Sequence, residues 1–255
     1  MLAAPERTGY KSPMISQIKN AQGEAIDFTL HSATPESKQI VVIGHGVTGN
    51  KDRPFVVALA TALAHAGINS LRFSFSGNGN SEGSFADCTI SKEVSDLGSV
   101  LDALAGHDIC LVGHSMGGAV GVIRASDDSR IKHLVSLAGM VHTAKFAETE
   151  FGMEEPDNGC MWEEDGCPLS STFVNDMNSI DTVVERGSQI TVPWLLIHGS
   201  EDDVVPIQDS HDIIGKAGGN TTFVELPGAG HVFADTHGEP MCNAVVGWVK
   251  QQFGA

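Results

Sequence analysis

The chain has 255 residues, 41% of them hydrophobic, and a formal net charge of −17 from 15 basic and 32 acidic side chains. That length holds one large α/β domain, or a core domain with an insertion, and the hydrophobic content is ordinary for a globular core. The acidic balance argues against nucleic acid or an anionic membrane as a partner, since both require a basic face, and no run approaches the roughly 20 apolar residues of a membrane span.

The start, Met1 to Thr8, lacks a basic stretch followed by an apolar one, so no signal peptide is expected and the cytoplasm is the expected location. Residues 14–32 hold two alternating polar–apolar runs around Asn20-Ala21-Gln22-Gly23, the pattern of an antiparallel hairpin at a sheet edge. Gln39 to Gly44 is a β-branched run that reads as a strand buried on both faces. It leads into His45-Gly46-Val47-Thr48-Gly49-Asn50. A helix is expected over 54–66, a strand over 69–75, and then a glycine-rich loop through Gly83. Ser91 precedes an expected helix to about Ala105, with Val94, Leu97, Leu101 and Leu104 on one stripe.

Further strands are expected over 108–112, 131–137, 192–197 and 221–226, with helices after Ser115, near 206–217 and near 240–253. Strands alternating with helices imply a mostly parallel sheet with helices on both faces. One connection is too long for a single crossover: about fifty residues separate Gly139 from Pro193. Residues 140–190 read as an insertion into a core formed by 1–139 and 191–255.

Five cysteines, Cys88, Cys110, Cys160, Cys167 and Cys242, make no disulfide framework, although Cys160 and Cys167 are close enough in sequence to pair. Cys-x-x-Cys and His-Glu-x-x-His spacings are absent, so neither a metal nor a cofactor is expected.

The chemistry centres on Gly113-His114-Ser115-Met116-Gly117, between a strand and a small, apolar helix. A Gly-x-Ser-x-Gly turn in that context lifts a serine hydroxyl clear of the backbone and brings a helix N-terminus beside it. Serine needs a histidine base, held in one tautomer by a carboxylate. His231, after the last strand in Pro227-Gly228-Ala229-Gly230-His231, is the first choice, with His237 the runner-up. His114 is expected to point away from its neighbour Ser115, and His45 and His198 to order loops. For the acid, the loop after the strand ending near Ile197 offers three adjacent carboxylates, Glu201, Asp202 and Asp203; Asp202 fits the Gly-x-x-Asp spacing from Gly199 and is the choice, with its neighbour Asp203 competing. Two backbone N–H groups must face a developing oxyanion. Met116 supplies one, and Val47 is the choice for the other. Gly46 and Trp162 are the expected substrate-binding positions. Gly46 lets the backbone approach closely. Trp162 stands with Phe151, Met153, Met161 and Phe173 among apolar groups expected to leave water, either as pocket wall or as a small core.

Taken in order, His45-Gly46-Val47-Thr48-Gly49, Gly113-His114-Ser115-Met116-Gly117, Gly199-Ser200-Glu201-Asp202 and Gly230-His231 resemble the α/β-hydrolase family. Within it, Phe75 to Gly83 and Thr89 to Val94 are similar to the small bacterial carboxylesterases, including cinnamoyl and feruloyl esterases. The resemblance implies an α/β-hydrolase fold whose insertion caps the active site, and hydrolysis of small acyl or aryl esters through an acyl-enzyme. Feruloyl esterases commonly hold the phenolic hydroxyl with polar cap groups, including tyrosine. The chain's one tyrosine, Tyr10, is far from the insertion. The partner implied is a small-molecule ester. Rivals on the same machinery are a thioesterase, a lactonase and a small peptidase. A rival of another class is a ligand-binding protein that keeps the fold without turnover.

Overall fold

A computed structural model describes residues 15–254. Tyr10 and the N-terminal segment read above for a signal lie outside them. The main sheet has seven strands: β3 (Phe28–His31), β4 (Gln39–Gly44), β5 (Asn69–Phe73), β6 (Asp108–His114), β7 (Ile131–Leu137), β8 (Trp194–Gly199) and β9 (Thr221–Leu226). Their spatial order is β3-β5-β4-β6-β7-β8-β9. Only β3 runs antiparallel to its neighbour, with Phe28 opposite Phe73 and His31 opposite Ser70. β1 (Ile18–Lys19) and β2 (Ala25–Ile26) form a separate two-stranded ribbon.

The expected N-terminal hairpin is therefore divided between two sheets. Its turn is as expected: Asn20 Oδ1 accepts from the N–H groups of Gln22 and Glu24, and Gly23 takes φ +83°. Asp27 then leaves the ribbon. Its N–H donates to Ser81 Oγ and its carbonyl accepts from Ser74 N–H, so the chain turns onto β5 as the sheet's edge. β5 stops two residues early for a related reason. The Ser74 and Phe75 N–H groups serve Asp27 O and His45 Nε2 rather than a strand ladder.

The described residues form seven α-helices: α1 (Pro54–His65), α2 (Ile90–Ala103), α3 (Met116–Asp127), α4 (Thr143–Phe151), α5 (Ser171–Ile180), α6 (Ile207–Ile214) and α7 (Gly238–Phe253). α2 begins one residue before Ser91, because Thr89 is the cap and accepts from Lys92 N–H at 3.0 Å. Ser91 instead donates its hydroxyl to Asp176 of α5. β8 begins at Trp194 because Pro193 has no N–H to give the ladder.

β4 shows why the sheet needs two layers of helix. Ile40 and Val42 join one apolar core with Leu97, Leu101 and Val120, while Val41 and Ile43 join another with Leu59, Leu63, Val245 and Val249. α1 and α7 thus cover one face, and α2 and α3 the other. The insertion extends the first of these cores: Phe146, Phe151, Met161, Phe173 and Met177 are buried in it, continuous with Met116 and Met140. Its ends are pinned together, Val183 N–H donating to Val141 O at 2.9 Å, and Asp209 of α6 accepts from Val141 N–H. Met153 departs from the expectation. It is 99% exposed, on the loop after α4, where no core is within reach.

The chain leaves β4 toward β5 and leaves β6 toward β7, on opposite sides. The loops after β4 and β6 therefore diverge at the strands' carboxyl ends and leave a crevice, the place where open sheets of this kind bind ligands.

Candidate active site

Ser115 stands between β6 and α3 with φ 54° and ψ −121°, a backbone conformation that a non-glycine residue holds only under constraint. The constraint is visible on both sides. Ser115 N–H donates to Leu137 O of β7 at 3.0 Å, and the Ser115 carbonyl accepts from Gly118 and Met140 N–H at 2.8 and 3.1 Å. Glycine is needed at both flanks. A Cβ on Gly113 would lie 2.1 Å from Gly117 O, and one on Gly117 would lie 2.4 Å from His45 O. Gly46 is equally close, since a Cβ there would meet Ser115 Cβ at 2.7 Å and Oγ at 3.2 Å.

Ser115, Gly46, Val47, Trp162 and His231 all line one cavity of about 610 Å³. Phe55, Ala58, Val204, Val232 and Phe233 make much of the remaining wall. Met116 is the first residue of α3, and Val47 follows Gly46 in the loop after β4. Among the described residues, neither backbone N–H donates to a backbone carbonyl.

His231 Nδ1 is 2.9 Å from Asp202 Oδ2. A carboxylate only accepts, so Nδ1 carries the hydrogen and Nε2 keeps its lone pair. Asp202 is fully engaged: Oδ1 accepts from the N–H groups of Val204 and Val205 at 3.0 and 2.9 Å, and His198 Nε2 lies 3.2 Å from Oδ2. Burial pushes the Asp202 carboxyl up, but hydrogen bonds from His198, His231 and Val205 outweigh it and hold the group below the usual carboxylate range. Asp203 makes no such contacts. With Gly228 and His237 it lines a second cavity, which touches His231 but not Ser115.

The other histidines separate by role. His45 donates Nδ1–H to Gly46 O at 2.8 Å and accepts at Nε2 from Phe75 N–H at 3.0 Å, which ties the loop after β4 to the loop after β5. His198 donates Nε2–H to Val205 O and accepts at Nδ1 from the Ser210 hydroxyl. It orders the acid loop and also faces Asp202, a contact the sequence pattern does not display. The His114 side chain makes its contacts with the histidine loop and not with Ser115. Its ring packs 4.7 Å from the His231 ring, and its Nε2–H donates to the His231 carbonyl at 2.9 Å.

Trp162 is 42% exposed and lies on the cavity wall, while Phe151, Met161 and Phe173 are core. Its ring packs tilted against Phe151 at 5.0 Å and its Nε1–H donates to Glu150 at 2.9 Å. The five apolar groups of the insertion therefore divide into one wall residue, three core residues and exposed Met153. All five cysteines are free, Cys160 and Cys167 included. Among the described residues, no group of three or more histidine, cysteine or acidic side chains could hold a metal, and no helix is long and apolar enough to cross a membrane.

The family described as "alpha/beta hydrolase fold" matches residues 39–176, just over half of the chain, and a further match to "Serine aminopeptidase, S33" covers residues 165–239. Among solved structures, Est1E from Butyrivibrio proteoclasticus with ferulic acid bound superposes with a TM-score of 0.83 at 27% identity, over 94% of this chain and 99% of that one. Alpha/beta hydrolase domain-containing protein 10 from mouse superposes with a TM-score of 0.76 at 19% identity, over 93% and 98% of the two chains, a likeness of fold. In sequence, the mitochondrial palmitoyl-protein thioesterase ABHD10 of Mus musculus is 28% identical over 168 residues, 61% of this chain and 54% of the mouse protein. The Homo sapiens protein is likewise 28% identical over 168 residues, 53% of its length. The chain's matched region spans about half the length of these curated relatives. By the family match, the strand order and the strand–serine–helix turn, the chain belongs to the α/β-hydrolase family.

Proposed function

We infer that the protein is a serine carboxylesterase that hydrolyses small acyl or aryl esters through an acyl-enzyme. The Ser115 hydroxyl attacks the ester carbonyl, and His231 Nε2 takes its proton. Asp202 holds the Nδ1–H tautomer and stabilises the imidazolium that forms. The Val47 and Met116 N–H groups bind the oxyanion of the tetrahedral intermediate, where such donors are worth several kcal/mol. His231 returns the proton to the leaving alcohol, and a water activated by the same base then releases the acid. The observation that carries this assignment is the 2.9 Å contact from Asp202 to His231 beside a cavity that also contains Ser115. Support for an ester substrate comes from the largely apolar cavity wall and from the likeness to Est1E.

A second substrate class, thioesters, is favoured by the sequence similarity to the palmitoyl-protein thioesterase ABHD10. The same residues would act on it, because only the leaving atom changes. Two measurements decide. Labelling by a fluorophosphonate probe, lost in Ser115→Ala, separates an enzyme from a ligand-binding protein; an unlabelled native protein overturns the enzyme assignment. Comparing kcat/KM for an oxygen ester and a thioester with the same acyl group then fixes the class, and a thioester preference of a hundredfold or more overturns the carboxylesterase assignment.

A further inference from the structure

Five arginines lie among the described residues, and four of them are hydrogen-bonded to carboxylates. Arg72 bonds Asp52, Arg124 bonds Asp128, Arg130 bonds Asp128 and Asp102, and Arg186 bonds Asp127. In a chain with 32 acidic side chains that is the expected fate of a guanidinium. Arg53 is the exception. Its Nη2–H donates to the Thr48 carbonyl at 2.9 Å, and the carboxylate facing it, Glu164, stays at 3.8 Å, beyond hydrogen-bond reach. Both side chains are more than two-fifths exposed, so this ion pair is weak and easily exchanged.

Among the described residues, Arg53 is also the only lysine or arginine on the wall of the cavity that contains Ser115 and His231. It immediately precedes α1, and Glu164 lies two residues from Trp162, another residue of the same cavity wall. A guanidinium has five N–H donors in a planar fork that fits a carboxylate through two parallel hydrogen bonds. With one bond spent on Thr48, the fork facing Glu164 remains unspent. The protein's overall field repels anions, so an anionic substrate would need a local cation of this kind.

We propose that Arg53 is a specificity-determining residue that binds a free carboxylate on the substrate, remote from the scissile carbonyl. The favoured substrates are then half-esters of dicarboxylic acids, or esters of comparable charge, rather than neutral esters of the same length. The incoming carboxylate displaces Glu164 from Arg53 and exchanges a loose contact for a bidentate one. This assignment rests on the ester-hydrolase function inferred above. The Glu164 carboxylate marks the chemistry that the fork faces, and the apolar side chains that share the cavity wall with Arg53 and Ser115, Phe55, Ala58 and Val232 among them, suit the methylene spacer of such an acid.

The test compares monomethyl adipate with methyl hexanoate, which differ only in the terminal carboxylate, by pH-stat, in the native protein and in the Arg53→Met, Arg53→Lys and Glu164→Gln variants. The native protein should favour the half-ester. Arg53→Met should lower the half-ester to neutral-ester ratio of kcat/KM by about tenfold or more, mostly through KM, because the contact is made before and during reaction alike. Arg53→Lys, which keeps the charge and loses the fork, should fall between, and Glu164→Gln should raise the ratio two- to fivefold. Across monomethyl succinate, glutarate, adipate and suberate the native protein should show one preferred length, as a fixed anchor requires. A ratio that is the same in the native and Arg53→Met proteins overturns the proposal while leaving the ester-hydrolase function standing. So does an equal loss on both esters with a lower Tm, which would make Arg53 a strut for the Thr48 loop. If Arg53→Met does not fold, an unchanged ratio in Glu164→Gln and Arg53→Lys overturns it equally. Failure of the native protein to cleave either ester, or any of the acetyl and butyryl aryl esters, sinks the underlying function and the proposal with it.

Discussion

The His114 and His231 rings pack tilted with centroids 4.7 Å apart, and the His114 Nε2–H donates to the backbone carbonyl of His231, which lines one cavity with Ser115. Burial, followed by the neighbouring His231, pushes His114 down to about 3, so it stays neutral where the enzyme would work. The sign of the stability effect follows. A folded-state value below the ordinary one of about 6.5 means that the unfolded chain binds the extra proton. The contribution is present above pH 6.5 and is lost as pH falls toward 3. His45, pushed down to about 4 by burial, adds to the same slope. His114→Gln should therefore flatten the loss of unfolding free energy between pH 7 and 5 by on the order of 1–2 kcal/mol. Urea unfolding at the two pH values checks this, and an unchanged slope would show that His114 does not titrate with folding.

Asp202 and Asp203 should behave differently when each is changed to asparagine. Asp202→Asn removes the acceptor that keeps the His231 Nδ1–H tautomer, and a loss of roughly 10³–10⁴ in kcat is expected. Asp203→Asn touches neither His231 nor His198 and should stay within about threefold. A crippled Asp203 variant beside an active Asp202 variant would transfer the acid by one position.

Glycine substitutions probe the turn around Ser115 at three levels. Gly113→Ala drives a Cβ to 2.1 Å from a carbonyl oxygen that cannot retreat, and should cost about 3 kcal/mol or more. Gly46→Ala presses instead on Ser115 itself, so turnover should fall about a hundredfold, out of proportion to any change in Tm. Gly121→Ala, inside α3, meets only Leu134 and Leu111 methyl groups at 3.4 and 3.5 Å. It should be neutral or stabilising by up to about 1 kcal/mol. Thermal melts beside ester kinetics separate the three, and a well-folded, active Gly113→Ala protein would contradict the crowding at the turn.

Much of the architecture is legible in the sequence because buried parallel strands are written as uninterrupted β-branched runs, and glycines punctuate the turns. Ile131–Leu137 and Thr221–Leu226 fall where their patterns place them. Boundaries drift where a side chain or a proline decides them, as Thr89 and Pro193 do. The site divides in the same way. The loops bearing Ser115, Asp202 and His231 are readable because the chemistry demands their order along the chain. Contacts between loops distant in sequence are not readable. His114 under His231, His198 beside Asp202 and Arg53 opposite Glu164 depend on how three or four chain segments converge, and periodicity carries no trace of that. Met153 shows the converse: an apolar residue in a segment with an established core can still be left in water when its loop turns outward.

The insertion supplies the last prediction, a contrast between Trp162 and Phe173. Phe173 is 2% exposed and packs with Phe151 at 6.2 Å within the core continuous with the sheet. Phe173→Ala should leave a cavity there and cost about 3–5 kcal/mol, lowering activity on every ester alike as folded protein is lost. Trp162 is held against Phe151 and by Glu150, but more than two-fifths of it faces the cavity or solvent. Trp162→Ala should lose about 1 kcal/mol of stability from the ring contact. Its larger effect should fall on substrate ranking, because a removed wall group weakens esters long enough to touch it by about 1–3 kcal/mol and leaves shorter ones unaffected. Measured as kcat/KM over acetyl, butyryl, octanoyl and cinnamoyl esters beside a melting curve, Trp162→Ala should reorder the series with little change in Tm, and Phe173→Ala should scale it uniformly with a lower Tm. A uniform loss in Trp162→Ala, accompanied by a fall in Tm like that of Phe173→Ala, would place the tryptophan in the core and remove it from the substrate's path.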